Sequence, residues 1–195
     1  MNKRQISRDD ILPMQEYAKL RDERRRTIAA IKRNRRVAVG PDVTFYFENY
    51  DTMLHQIHEM LHIERGGEAQ IADELRAYNP LVPQGSELVA TMMIEVDEPL
   101  RRARVLRMLA GIEETVDMNV GDATIRAVPE GDIERTTAEG KTSSVHFLRF
   151  PFTAADVAAF RSGEGRVILG IHHPNYQHMA VMPETVRAAL AADFD

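Results

Sequence analysis

The chain has 195 residues, a usual size for one domain, and we expect residues 1–195 to fold as a single domain. It contains no cysteine, so disulfides, thiolate catalysis and cysteine-ligated iron–sulfur clusters are excluded within it. The net charge of −5 hides a strong asymmetry. Residues 1–36 carry twelve Lys or Arg against five Asp or Glu, a net of +7, which leaves −12 for the remainder.

The sequence has no long apolar segment. Its first ten residues lack the apolar stretch of a secretory signal, and the longest apolar run, Leu88–Ile94, is far shorter than a membrane span. We therefore expect a cytoplasmic protein that does not enter the membrane.

The N-terminal segment, residues 1–36, is predicted to be helical and basic. Pro13 suits the first turn of a helix that continues to about Asn34. The positive charge between Arg21 and Arg36 leaves two interpretations open. The helix docks on the acidic body of its own chain, which is our expectation, or it binds nucleic acid or an acidic partner.

The body, residues 37–195, contains short strands and helices. β-Rich apolar runs predict the strands, and apolar residues at helical spacing bounded by Pro or Gly predict the helices. The strands cluster as hairpins, which favours an α+β fold with a mostly antiparallel sheet flanked by helices. The run Ser143–Phe152 is apolar at most positions, which predicts a central strand covered on both faces. The predicted elements are strands at 37–39, 43–47, 87–96, 143–152, 166–171 and 177–182, a hairpin at 115–128, and helices at 51–65, 69–78, 99–110, 153–161 and 183–192.

The stretch His58-Glu59-Met60-Leu61-His62 matches the H-E-x-x-H motif, in which two imidazoles one helical turn apart hold zinc and the glutamate acts as a base. The apolar residues of this helix occupy the opposite arc, so His55, His58 and His62 are expected on an exposed face. No third ligand follows at the spacing used by zinc peptidases. A zinc metalloprotease is therefore a minor alternative, and His58 and His62 are the weaker candidates for metal ligands.

A second set of polar residues lies in the C-terminal half. His146 and Arg149 interrupt an otherwise apolar strand, and His173 and Tyr176 flank a turn that contains a proline. One interpretation is structural, because buried polar side chains are usually hydrogen-bonded within the core. The other is that these residues form a binding site.

A more specific version of the binding-site interpretation is a metal site. Two imidazoles and a carboxylate suit a divalent metal such as non-haem iron, so His146 and His173 are the candidate ligands, with Glu64 or Glu95 as the carboxylate. Glu64 falls on the apolar side of its helix, where a carboxylate needs either an arginine partner or a role in a site. The candidate ligand-binding residues are Lys141, His146, Arg149, His173, Tyr176 and Glu64.

Several separated stretches carry a resemblance to one family. They are Arg35-Arg-Val-Ala-Val-Gly-Pro41, Tyr78-Asn-Pro-Leu-Val-Pro-Gln-Gly85, Lys141 to Phe150, Gly170 to Tyr176 and Ala188 to Asp193. In this order they resemble the bacterial family DUF3501 across essentially the whole chain. That family has no assigned function, and where it resembles this chain it usually has Gln in place of His58 and Arg in place of His62, which weakens the zinc interpretation.

The resemblance also implies a cellular setting. Members of the family tend to be encoded beside rubrerythrin-like di-iron proteins and iron–sulfur oxidoreductases, which implies a bacterial origin, a role near peroxide or redox metabolism, and these two proteins as partners. Such a setting is an association and says nothing about chemistry.

Our leading hypothesis is therefore an accessory protein that binds a partner in redox metabolism. The alternative is a small metal-dependent enzyme or metal-binding protein that uses His146, His173 and a carboxylate. Nucleic-acid binding through the Arg21–Arg36 helix is a further, minor alternative. The sequence contains neither a phosphate-binding loop motif nor a dinucleotide-binding glycine motif.

Overall fold

A computed structural model describes residues 3–131 and 141–195 of the protein. The helices of this part of the chain are α1 (Met14–Arg33), α2 (Tyr50–Glu64), α3 (Glu68–Tyr78), α4 (Pro99–Met108), α5 (Ala154–Ser162) and α6 (Glu184–Ala191). The strands are β1 (Arg36–Val39), β2 (Val43–Phe47), β3 (Glu87–Ile94), β4 (Val116–Val120), β5 (Ala123–Arg126), β6 (Val128–Pro129), β7 (Val145–Pro151), β8 (Val167–His173) and β9 (Tyr176–Val181).

These strands form two antiparallel sheets. The first has the order β1-β2-β3-β7-β6 and the second the order β5-β4-β8-β9. Successive side chains of a strand point to opposite faces, so in β2 Phe45 and Phe47 are buried while Thr44 and Tyr46 are half-buried. Apolar residues of both sheets, such as Phe45 and Leu169, belong to one core cluster. The predicted α+β fold with antiparallel pairing and flanking helices is confirmed, with two sheets where one was predicted.

The central strand of the first sheet is β3, and the prediction that residues 143–152 form the central strand is wrong. β7 is fourth in an order of five, beside the two-residue strand β6. Its residues alternate between buried and half-buried, because one face points into the core between the sheets. The other face is covered only in part by helices, through residues such as Phe147.

A layer of helices covers the outer face of the first sheet. Ile57 and Leu61 of α2 and Ile71 of α3 form a second apolar cluster with Val89 of β3. α2 begins with a reciprocal cap in which the Asn49 side chain accepts from the backbone of Thr52 and the Thr52 hydroxyl accepts from the backbone of Asn49. α1 lies on the opposite side of α2, so the predicted docking of the basic helix on its own chain is confirmed.

No helix in the described part of the chain is long and apolar enough to cross a membrane.

A buried ion pair connects the start of β1 with the C-terminal segment. Arg35 and Asp193 are 5% and 7% exposed, and the guanidinium of Arg35 donates to the carboxylate of Asp193. The same guanidinium donates to the backbone oxygens of Phe47 at 3.0 Å and Glu48 at 3.1 Å. Burial raises the pKa of Asp193, and the adjacent Arg35 opposes that rise.

Removing one partner of the Arg35–Asp193 ion pair should destabilise the fold. The Arg35→Met variant leaves the Asp193 carboxylate buried without its cation, so we expect the free energy of unfolding to fall by about 3–5 kcal/mol. Urea denaturation followed by circular dichroism measures this change. In the Arg35→Met, Asp193→Leu double variant the buried charge is also gone, and most of the lost stability should return. A single variant as stable as the wild type would contradict this account.

Candidate functional site

A groove of about 440 Å³ lies between α1 and α2. Leu20, Arg24 and Ile31 line it from α1, at spacings that place them on one side of the helix. From α2 it is lined by Leu54 and by two histidines of the sequence stretch that contains the H-E-x-x-H motif, His55 and His58. The groove is therefore apolar at several positions, with imidazole and guanidinium groups between them.

His58 is buried beneath the N-terminal segment. The backbone N–H of Leu12 donates to its Nε2 at 3.0 Å, and its Nδ1 lies 2.8 Å from the backbone oxygen of Leu54. A backbone N–H can only donate and a carbonyl can only accept, so the ring is neutral and carries its proton on Nδ1. The ring also stacks on Tyr17, with the two centroids 4.7 Å apart. His58 thus fastens the segment that leads into α1.

Glu59 forms the centre of a polar cluster between the two helices. Arg21 donates to both of its carboxylate oxygens, at 2.9 and 2.8 Å, and the Tyr17 hydroxyl donates to one of them at 2.7 Å. The hydrogen bonds from Arg21 are the main reason that the pKa of Glu59 is lowered to about 2. His55 Nδ1 lies 3.4 Å from the Tyr17 hydroxyl. Glu59 therefore serves as the anionic partner of α1, and its carboxylate is fully engaged in that role.

The expectation that the three histidines lie on an exposed face is wrong. His58 is 1% exposed, and His55 and His62 are half-buried. The reason is that α2 packs against the sheet on one side and is covered by α1 on the other. Within the residues that the structure describes, no three His, Asp or Glu side chains are arranged to hold a metal ion.

The two histidines of the predicted metal site each contact the segment between α4 and β4, at Glu113 and Ala110 respectively. His146 is 1% exposed, and its Nε2 lies 2.9 Å from the backbone oxygen of Ser143, while its Nδ1 lies 3.6 Å from a carboxylate oxygen of Glu113. His173 Nε2 lies 3.2 Å from the backbone oxygen of Ala110. Each ring has a hydrogen-bonding role of its own, and their joint use as metal ligands stays a prediction.

Arg149 and Tyr176 contact the protein itself. Arg149 donates to the Glu87 carboxylate at 2.7 Å. The Tyr176 hydroxyl donates to the backbone oxygen of Val39 at 2.8 Å and accepts from the backbone N–H of Asp42 at 2.9 Å. These contacts join β7 to β3 and β9 to the β1–β2 turn.

The remaining predicted site residues do not meet in one place. Lys141 is exposed ahead of β7. Glu64, expected on the apolar side of α2, is exposed at the end of the helix beside Ile63, which is 62% exposed, so its carboxylate is not buried there. Glu64 accepts a hydrogen bond from Gln70 at 2.7 Å, and Glu95 accepts one from a tyrosine of β2.

The second half of α1 and the start of β1 carry a run of cations. Residues 24–36 contain seven Lys or Arg and no Asp or Glu. Arg35 is the buried partner of Asp193, whereas Lys32 is half-buried and the other five are exposed. No carboxylate of the described residues forms an ion pair with these six, which are Arg24, Arg25, Arg26, Lys32, Arg33 and Arg36.

Comparison with known proteins identifies the family of the chain. The model of the family described as "Protein of unknown function (DUF3501)" matches residues 5–194. The chain belongs to the DUF3501 family. A comparison with curated proteins found no match. A crystal structure of a novel protein of unknown function from Burkholderia pseudomallei K96243 is similar, with 40% sequence identity and a TM-score of 0.90, covering 97% of this chain and 99% of that chain.

The groove of this DUF3501 member and its α1 residues were not predicted from the sequence. One feature of the sequence indicates a second apolar surface on α1. Leu20, Ile28 and Ile31 recur at helical spacing in a helix whose other residues are mostly charged or polar. What the sequence does not show is that α2 covers only part of this stripe.

The contact between His58 and Leu12 can be tested by substitution. The His58→Leu variant leaves the N–H of the half-buried Leu12 without its acceptor and should lower the free energy of unfolding by about 1–3 kcal/mol. The His58→Gln variant keeps one acceptor and one donor and should cost clearly less. Equal losses in the two variants, measured by urea denaturation, would contradict the proposed hydrogen bonding.

The same histidine should make stability depend on pH. Burial lowers the pKa of His58 below its ordinary value of 6.5, the hydrogen bond to the Leu54 backbone opposes this shift, and Arg24 and His55 add to it. Since the unfolded chain then binds the extra proton more readily, the contribution is complete above pH 6.5 and is lost as the pH falls toward the lowered pKa.

Denaturation of the wild type between about pH 8 and about pH 5 should therefore show a loss of stability at the acid end that is smaller in the His58→Gln variant. Identical pH profiles would show that His58 does not carry the effect.

Proposed function

We propose that this protein is a non-catalytic, partner-binding protein whose cationic α1 contacts an acidic surface of another protein. The observation that carries the proposal is the run of six cations in residues 24–36 that have no carboxylate partner within the described residues. The docking of α1 on α2 uses Arg21, which precedes this run. The six cations that follow form no ion pair with α2 within the described residues.

Such a run is unfavourable for the isolated protein. Like charges that lie within about 10 Å of one another are only partly screened by salt and repel one another. Lys32 and Arg33 are compensated by the helix dipole because they lie in the last turn of α1, but Arg24, Arg25 and Arg26 lie in the middle of the helix, where the dipole gives no benefit. An external acidic surface supplies the missing compensation and also accelerates association.

Two proteins are the first partners to test. The family resemblance implies a gene neighbourhood that contains a rubrerythrin-like di-iron protein and an iron–sulfur oxidoreductase. This neighbourhood favours these two proteins as cytoplasmic, bacterial partners. The role we propose is recognition of such an enzyme near peroxide or redox metabolism, with the chemistry carried out by the partner.

Charge reversal on α1 tests this function. The Arg24→Glu, Arg25→Glu variant should weaken binding to the purified rubrerythrin-like protein or iron–sulfur oxidoreductase by about tenfold or more, and the wild-type affinity should fall steeply with salt. Biolayer interferometry measures both effects.

A matched control exists on α4. The Arg104→Glu, Arg107→Glu variant changes the net charge equally at two exposed positions outside α1 and should bind like the wild type. If both variants lose the same affinity, the effect comes from net charge alone and not from the cations of α1. If neither purified protein binds the wild type, the proposed partners are wrong, and salt-sensitive binding of mixed DNA or RNA in their place would favour a nucleic-acid-binding protein.

A further inference from the structure

The edge strands of the two sheets differ in how they are protected. The edges are β1 and β6 in the first sheet and β5 and β9 in the second. Proteins commonly keep such edges from pairing with other chains by a charged residue or a proline. β1 contains Arg36, β5 contains Arg126, and the two-residue β6 contains Pro129. β9 has six residues and contains no Asp, Glu, Lys, Arg or Pro. Among the strands that the structure describes, β9 is therefore the edge that is open to pairing.

The backbone of β9 carries unpaired hydrogen-bonding groups along its outer edge. The Met182 N–H donates to the backbone oxygen of Val167 at 2.8 Å, at the end of the β8–β9 ladder. Hydrogen-bonded positions alternate along an antiparallel pair, so the even-numbered residues of β9 bond to β8, whereas Gln177, Met179 and Val181 direct their N–H and C=O groups away from it. Within the described residues, no hydrogen bond reaches these three N–H and three C=O groups.

Two large apolar side chains of β9 are exposed beside these groups. Met179 is 67% exposed and Val181 is 53% exposed. They lie on the same face of the sheet, since they are two residues apart, and Met179 lies across from Gly170, which has no side chain to cover it. A single exposed apolar residue needs no explanation. Here the exposed apolar surface and the unpaired backbone groups occur on the same strand.

We infer that two copies of this chain pair through β9, antiparallel and around a two-fold axis, and so join their four-stranded sheets into one continuous sheet. The inference uses no residue of α1 and is independent of the proposed function.

The positions of the unpaired groups fix the register of this pairing. A two-fold axis centred on Met179 places Met179 opposite Met179 of the second copy, and Gln177 opposite Val181 of the second copy. Each of these pairs exchanges two hydrogen bonds, so every unpaired N–H and C=O group of the two strands is satisfied. A shift by two residues leaves Gln177 or Val181 of each copy without a partner inside β9.

The charge distribution favours a second copy as the occupant. An uncharged strand offers no attraction to an acidic or a basic strand, whereas it meets no like charge when it pairs with itself. The nearest carboxylate on the same sheet face is that of Asp117 on β4, two strands away, and it lies 2.9 Å from His172 Nε2. Strands lie about 4.8 Å apart, so the two Asp117 carboxylates of a dimer would be about 24 Å apart, beyond the Debye length of about 8 Å.

Two-fold pairing also limits the size of the assembly. Each copy contributes its open edge once, and the other edges are protected, so the assembly closes at a dimer. A contact along one strand is smaller than a standard protein interface, and we expect a reversible dimer with a dissociation constant in the micromolar range.

Sedimentation of the whole protein tests the pairing. Between about 1 and about 500 μM the wild type should pass from monomer to dimer. The Met179→Lys variant places two ammonium groups opposite each other on the axis and should raise the dissociation constant by about tenfold or more. The matched control Thr124→Lys adds the same charge at an exposed position of the edge strand β5 and should change it by no more than about twofold. Thermal unfolding of both variants checks that they fold like the wild type.

Single cysteines test the register, because the chain has no cysteine of its own. In the Met179→Cys variant the two opposing Cα atoms would lie about 5.5 Å apart, within the range of about 4.4–6.8 Å that a disulfide spans. Mild oxidation should therefore give a covalent dimer on non-reducing electrophoresis. In the Val181→Cys variant the two cysteines would be more than about 13 Å apart, and no covalent dimer should form.

The outcomes are distinct from those for the proposed function. A wild type that stays monomeric at every concentration, a dimer that Met179→Lys leaves intact, or equal weakening by Met179→Lys and Thr124→Lys would overturn the inference. Equal covalent dimerisation of the two cysteine variants would also overturn it. The Arg24→Glu, Arg25→Glu variant should still dimerise although it loses the purified partner, so either idea can fail without the other.

Discussion

The ion pair between Arg21 and Glu59 determines where α1 lies. The side chains of Arg21 and Glu59 are 29% and 16% exposed, so the pair is screened less than a fully exposed one, and its two parallel hydrogen bonds fix the orientation of α1 as well as its distance from α2. α1 has 20 residues but buries only Tyr17 and Ile28. Apolar burial on that scale would not hold a strongly cationic helix in one place, and the polar cluster around Glu59 supplies the specificity. Both the groove and the exposed cations are consequences of this placement.

Much of the fold could be predicted from local sequence signals. The β2 and α3 boundaries follow from β-rich and helical patterns that end at Gly or Pro, and the hairpin pairings follow from short turns between apolar strands. The division into two sheets could not be predicted, because alternation along a strand shows that one face is buried but not which strands lie across from it. For the same reason the apolar run 143–152 predicts a strand at the centre of the sheet, although helices cover only part of its second face.

The candidate site shows a different limit. The motif His58-Glu59-Met60-Leu61-His62 can bind a metal only if its side of the helix is accessible. A single apolar stripe identifies just one of the surfaces that a helix buries. Here a second surface of α2 is covered by Tyr17 and Leu12, which lie about 40 residues earlier in the chain, and no local pattern predicts that contact. The glutamate that resembles a catalytic base is the anchor of a basic helix, and His58 is a hydrogen-bond acceptor for the backbone.

The hydrogen bond from the Leu12 amide to His58 has a consequence for the dynamics of the N-terminal region. Leu12 lies between the short turn at Arg8–Asp10 and the start of α1, outside regular secondary structure. An amide in such a segment ordinarily exchanges its proton with water quickly, but this one is bound to an imidazole nitrogen in a buried position. Its exchange requires the segment to lift away from α2, and α1 is directly attached to that segment. The exchange rate of one backbone proton therefore reports how often the N-terminal region separates from the rest of the protein.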